Sequence, residues 1–149
     1  MTKLRTGEPW MPARDYGRTL DGLSLNLLVR DVQRSLPFYT EVLGLRALYS
    51  DIDYAALEGP GPEASVRVQL HADHTYDKMP WAAELAQPGR RGLGAEIRIL
   101  GVDPDRVERS AVERGFKVVI PTADFAHGWR ACFLEDPDGY TFAVGLPTP

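Results

Sequence analysis

The chain is poor in the residues that most often carry redox or metal chemistry. Of its 149 residues one is cysteine, Cys132, and three are histidine, His71, His74 and His127. A single thiol excludes an internal disulfide. So few histidines and cysteines exclude a structural zinc module. A basic excess is also lacking. The net charge of −4 leaves nothing to neutralise a phosphate backbone, so nucleic acid is not the expected partner. The neighbouring pair Arg90 and Arg91 is too short a basic run to change this. No apolar run approaches the roughly 20 residues of a membrane span, and no membrane partner is expected. The opening stretch MTKLRTGEPWMPARDYGRTL has no apolar core of a signal peptide. The expectation is a soluble, cytoplasmic protein.

What is present is the mix of a globular protein, with 44% apolar and 26% charged residues. The length suits one compact domain or two small fused modules. Residues 1–20 are polar and rich in Pro, Gly and Arg. They read as an irregular arm packed over the body or over a partner subunit, with disorder as the alternative.

From there the apolar pattern has strand and helix periods in turn. In Leu23–Arg30, Leu23, Leu25, Leu27 and Val29 share one face, and Ser24, Asn26, Leu28 and Arg30 the other, which predicts a strand. Asp31 can cap a helix from Val32, whose apolar positions are Leu36, Tyr39, Val42 and Leu43, and Gly44 ends it. Pro37 removes a backbone donor inside this helix and should loosen it. Strands are predicted at Leu45–Ser50, Tyr54–Glu58 and Ser65–His71, the last two joined by a turn at Gly59-Pro60-Gly61-Pro62. Residues 73–94 form a polar connector with a short helical turn at Trp81–Leu85. The order then recurs. A strand at Ala95–Val102 leads to a helix capped by Asp103 with Pro104 in its first turn, ended by Gly115. Strands follow at Phe116–Ile120, Trp129–Glu135 and Tyr140–Leu146, with an Asp136-Pro137-Asp138-Gly139 turn before the last.

This is an internal repeat. Asp31 and Asp103 lie 72 residues apart, as do Ser24 and Glu96, and Gly44 and Gly115 lie 71 apart. Two βαβββ modules, residues 21–72 and 95–149, are each too small to bury a core alone. The fold class is α+β: a curved, cup-like, eight-stranded mixed sheet with helices on its outer face.

Two segments carry a resemblance to a known family. VRDVQRSLPFYTEVLGL (Val29–Leu45) resembles the first-module signature of the glyoxalase / bleomycin-resistance / extradiol-dioxygenase (vicinal oxygen chelate) superfamily. HGWRACFLEDPDGYTFAV (His127–Val144) is similar to its closing segment. Metal-dependent members hold a divalent ion between ligands from the first and last strands of each module, with open positions for substrate oxygens. By repeat alignment those positions fall here on Ser24, Glu96, Gln69 (or His71 on the same face) and Ala143. Ala143 has no donor, Ser24 is a poor one, and only Glu96 is standard.

Three readings follow. In the leading one the protein needs no cofactor and binds a small organic molecule through Asn26, Gln69, His71, Glu96 and Arg98, with aromatic walls such as Trp129 and Tyr140. The resemblance implies a homodimer for such a binder. In the second, an enzyme of the lyase, isomerase or dioxygenase kind, a divalent metal is held by His71, His74, Glu96 and His127. In the third, Glu96 and His71 are the catalytic acid–base pair and Arg98 holds an anionic substrate. Blander roles stand beside these: a Glu96–Arg98 ion pair, a loop-stabilising His74, a core Trp129 and a chain that serves only as an interaction partner. Arg130 is expected to anchor the Asp-Pro-Asp-Gly turn, Cys132 to be a buried apolar group, and Asp31 and Asp103 to be helix caps.

Overall fold

A computed structural model describes residues 1–59 and 66–149. It contains eight strands, β1 (Ser24–Val29), β2 (Arg46–Ser50), β3 (Tyr54–Glu58), β4 (Arg67–Ala72), β5 (Glu96–Leu100), β6 (Lys117–Phe125), β7 (Trp129–Glu135) and β8 (Thr141–Pro147). The helices are α1 (Ala13–Gly17), α2 (Val32–Pro37), α3 (Ala82–Leu85) and α4 (Pro104–Glu113). The strands form two separately hydrogen-bonded mixed sheets of four, ordered β1-β4-β3-β2 and β5-β8-β7-β6. In each, the first strand runs parallel to the last and the other pairs are antiparallel. The repeat is therefore real at the level of topology. The turn expected at Gly59-Pro60-Gly61-Pro62 lies largely outside the described residues. Among the described residues no helix is long and apolar enough to cross a membrane.

The chain divides into two compact units. Residues 1–36 and 45–87 form the first, and residues 37–44 and 88–149 the second. The division falls at Pro37, where the expected helix changes character. Beyond α2, Phe38–Val42 is a π-helical turn, closed by Leu43 N–H donating to the Phe38 carbonyl at 3.0 Å. Proline lacks the N–H that would continue the α-helical ladder, so the ladder is reset by one residue. Gly44 and Gly115 end the two helical segments at φ +79° and +72°, which non-glycine residues rarely adopt. Asp31 and Asp103 cap as expected, accepting from the amides of Arg34 and Asp105 at 3.1 and 3.0 Å.

Each sheet buries one face. In the first unit Leu27, Val29, Val68, Leu70, Ala55 and Leu57 are all buried. Leu23 is not among them: β1 starts one residue later and Leu23 is 82% exposed. In the second unit Phe38 and Tyr39 pack against Phe142 with ring centroids 5.5 Å apart, and Phe38 meets Phe116 edge-on at 5.4 Å. Cys132 is buried there, and burial pushes its thiol up to about 11. The strand expected to stop at Ile120 runs on to Phe125 through Pro121. Register shifts flank that proline on an edge strand, where its missing donor costs no ladder bond.

The Asp136–Gly139 turn is anchored from inside. Tyr39 Oη donates to Asp136 Oδ2 at 2.7 Å, and Asp136 Oδ1 accepts the amides of Asp138 and Tyr140, both at 2.9 Å. Arg130 is not the anchor. It pairs with Asp105 at 2.7 Å and Asp124 at 3.0 Å, because its position on β7 turns it toward the start of α4 and the end of β6.

The N-terminal arm is ordered on the first unit by Asp53, a fully buried carboxylate between β2 and β3. Asp53 accepts the Leu4 amide at 2.7 Å, the Arg5 amide at 3.3 Å and His74 Nε2–H at 2.8 Å. Burial alone would raise its pKa. The hydrogen bond from His74 and those from the two amides outweigh this and hold the carboxyl below the usual range. Trp10 adds a stacked contact on Tyr49 at 6.1 Å and donates to Tyr54 Oη at 3.0 Å.

Two stability predictions follow from these contacts. Tyr39→Phe strands a buried acceptor on Asp136 and should cost about 1.5–3 kcal/mol in urea unfolding. Asp53→Asn should cost a similar ~1–3 kcal/mol and raise amide exchange at Leu4 and Arg5. Because the folded pKa of Asp53 lies below its unfolded value, its contribution is full above about pH 4 and is lost as pH falls through the folded value. Unfolding measured from pH 7 to pH 3 should therefore show a steeper acid loss in the parent than in the variant.

Candidate functional site

The polar face of the first sheet is set by the register. Asn26 and Leu28 on β1 stand beside Gln69 and His71 on β4, and Ala56 and Tyr54 on β3 lie across from those two. Over this face lies the arm, with α1 carrying Tyr16. Between them is a cavity of about 170 Å³ lined by Met11, Tyr16, Tyr54, Gln69, His71 and Thr75, with Lys3, Arg5 and Asp53 among its remaining walls. Its walls are mostly apolar.

The polar groups in it are few and placed. His71 stacks on Tyr54 at 5.4 Å and meets the edge of Tyr76 at 5.4 Å. Burial lowers its pKa, with Asp51 opposing, so the imidazole is neutral at physiological pH. Gln69 Nε2 reaches Ser24 Oγ only at 3.5 Å, a weak bond that leaves the amide available. Tyr16 is buried, and among the described residues its hydroxyl has no hydrogen-bond partner.

Of the residues proposed from sequence, Gln69 and His71 thus line one cavity. Asn26 shares their sheet face but is occupied elsewhere, donating to Tyr76 Oη at 2.7 Å. Glu96, Arg98 and Trp129 belong to the second unit. There Arg98 Nε donates to Glu96 at 2.7 Å, the ion pair that their spacing on one strand face allows. Arg98, His127, Trp129, Phe133 and Ala143 line a smaller cavity of about 70 Å³. Tyr140 lies just before β8, its ring against Gly92.

The metal sets fare poorly on their donors. Among the described residues no group of three or more His, Cys, Asp or Glu is gathered to hold an ion. Of the histidine set, His71 and His74 belong to the first unit and Glu96 and His127 to the second. His74 is spent on Asp53. Of the positions marked by family resemblance, Ser24 and Gln69 face each other in the first unit. In the second, Glu96 is engaged by Arg98, and buried Ala143 brings no donor atom. One anionic ligand, already paired, does not fit a divalent ion.

Sequence reasoning missed Tyr16, Asp53 and Tyr54. The signal for Tyr16 was present: Trp10 and Tyr16 are large aromatics in an otherwise polar arm. Asp53 had none, since a lone Asp between two strands reads as a turn residue.

The sequence matches the family described as the Glyoxalase/Bleomycin resistance protein/Dioxygenase superfamily over residues 23–144. No match was found among curated proteins. Solved structures agree on the fold. A glyoxalase/bleomycin resistance protein/dioxygenase from Nocardioides is 22% identical with a TM-score of 0.61, covering 91% of this chain and 92% of that one. A family enzyme from Burkholderia phytofirmans PsJN is 17% identical with a TM-score of 0.65, covering 83% and 96%. A superfamily member from Sphaerobacter thermophilus is 23% identical with a TM-score of 0.59, covering 86% and 98%. With its doubled βαβββ topology and a family match over most of its length, this chain belongs to the Glyoxalase/Bleomycin resistance protein/Dioxygenase superfamily.

Proposed function

We propose that this protein binds a small organic molecule, without a metal, in the cavity beneath its N-terminal arm. The observation that carries this reading is the cavity itself: about 170 Å³, mostly apolar, with Gln69 and neutral His71 as polar groups on one wall. A concave apolar site with a few fixed polar groups is what small-molecule recognition requires. Its size suits a single substituted ring, since a cavity of roughly 150 Å³ takes up benzene. Rigid aromatic walls lose little entropy when they close on a ligand.

Binding rather than turnover is favoured by the state of the candidate catalytic groups. Glu96 is held by Arg98, and His71 has no carboxylate partner within hydrogen-bond reach among the described residues of its own unit. Acid–base catalysis needs a titrating pair in such reach. A homodimer is part of the proposal through the family resemblance alone.

Amide chemical-shift mapping with monocyclic aromatic probes tests the site. Probe-induced shifts should centre on Tyr54, Gln69, His71 and residues 11–17, and His71→Ala should weaken binding by about tenfold, equivalent to roughly 1.4 kcal/mol. Shifts confined to the second unit would end this reading. Dialysis against a chelator should leave probe affinity unchanged. A loss of binding that added Zn, Ni, Mn or Fe restores would turn the assignment back to a metal-dependent enzyme.

A further inference from the structure

Gln69 Oε1 and both ring nitrogens of His71 have no hydrogen-bond partner among the described residues. Gln69 Nε2 makes only the 3.5 Å bond to Ser24, and it carries two hydrogens. Neither side chain is fully buried, and none of these atoms is shut away from contact, so a ligand can reach them. Both residues line the cavity under the arm. They are two positions apart on β4, on one face and about 7 Å from each other along the strand.

The walls around them give no reason for polar groups. Ala56 lies across from Gln69 and Tyr54 across from His71, while Pro9, Met11 and Ala13 add apolar atoms. A valine or leucine at position 69 would suit a strand better and cover the same floor. An amide makes sense there when an occupant of the cavity completes it.

Resting on the reading of this cavity as a ligand site, we propose that Gln69 is its specificity residue and selects a small ring that carries a cyclic amide. The primary amide of Gln69 has an N–H and a carbonyl oxygen on one edge. The group that answers both at once has a carbonyl and an N–H on one edge of its own, and a ring holds an amide in that arrangement. Two bonds then form side by side. The ligand N–H donates to Gln69 Oε1, and Gln69 Nε2–H donates to the ligand carbonyl. The weak bond to Ser24 can yield to the stronger pair. His71, neutral because burial lowers its pKa, adds one N–H and one bare nitrogen on the same face.

Selectivity comes from what a wrong ligand leaves behind. An apolar ring would strip water from the Gln69 amide without replacing its bonds, which is the costly case. A ring with an acceptor alone strands Oε1. A carboxylate has no proton to give to Oε1 and repels it. Lys3 is also in the lining, but it is exposed, and an exposed ammonium adds little to an ion pair. The cavity's volume keeps the ligand to one ring.

The test titrates 2-pyridone, N-methyl-2-pyridone, toluene and benzoate at pH 7 into the full chain, as the parent and as Gln69→Met, which keeps an unbranched side chain and removes the amide. The quantity read is the affinity ratio of 2-pyridone to N-methyl-2-pyridone, because the probes' own hydration cancels between parent and variant. Gln69→Met should lower this ratio about 10-fold, the share of one hydrogen bond and its stranded partner. The variant should bind toluene more tightly than the parent does, since a polar wall has become apolar, and that binding shows its cavity to be open. Gln69→Leu gives the same reading should the methionine variant not fold. An equal ratio in parent and variant, with toluene bound, would overturn the role of Gln69 and leave the cavity reading standing. Failure of all four probes to bind the parent would overturn both. Benzoate bound by the parent more tightly than 2-pyridone would place the head group on Lys3 and overturn the cyclic-amide class.

Discussion

The candidate site depends on one buried carboxylate. Asp53 sits at the end of a short turn where its own backbone is fixed by Asp51, whose side chain accepts the Asp53 and Tyr54 amides at 2.7 and 2.8 Å. From that fixed position it gathers two arm amides and His74. Charge-assisted bonds to a buried carboxylate are stronger than neutral ones, and their loss leaves an unpaired charge. That asymmetry is what holds a Pro- and Gly-rich arm, with little intrinsic structure, in one place. Without the arm, the polar face of the first sheet is an open surface; with it, the same face is the floor of a cavity.

The two sheets share a topology and use it differently. In both, the first and last strands run parallel and the polar face carries alternate residues of the repeat. The first has Gln69, His71 and Tyr54 there, beneath the arm. The second has Glu96 and Arg98, mutually neutralised, with Trp129 and Phe133 beside a smaller hollow. An intra-strand ion pair at spacing two is cheap to form where both groups reach water.

Much of this was legible before any coordinates. The strand and helix periods, the Asp31 and Asp103 caps and the glycine stops at Gly44 and Gly115 are local effects, and each was found close to where it was expected. The departures have local causes that only neighbours reveal. Pro37 reset the helix to a π turn instead of merely loosening it, and Pro121 was carried inside a strand because that strand is an edge. Arg130 was misplaced because an Arg reaches several carboxylates, and the choice among Asp105, Asp124 and the Asp136 turn is made by strand register.

The sequence by itself determined the doubled βαβββ order and the side of each strand on which His71, Gln69, Glu96 and Arg98 lie, because periodicity of two and 3.6 is a property of the backbone. Tertiary structure decided which of the facing residues meet. It split the strands into two sheets of four, paired Glu96 with Arg98, and brought the Leu4 and Arg5 amides to Asp53 from 48 or more positions away. Contacts between such distant segments depend on packing and on desolvation, neither of which leaves a period in the chain.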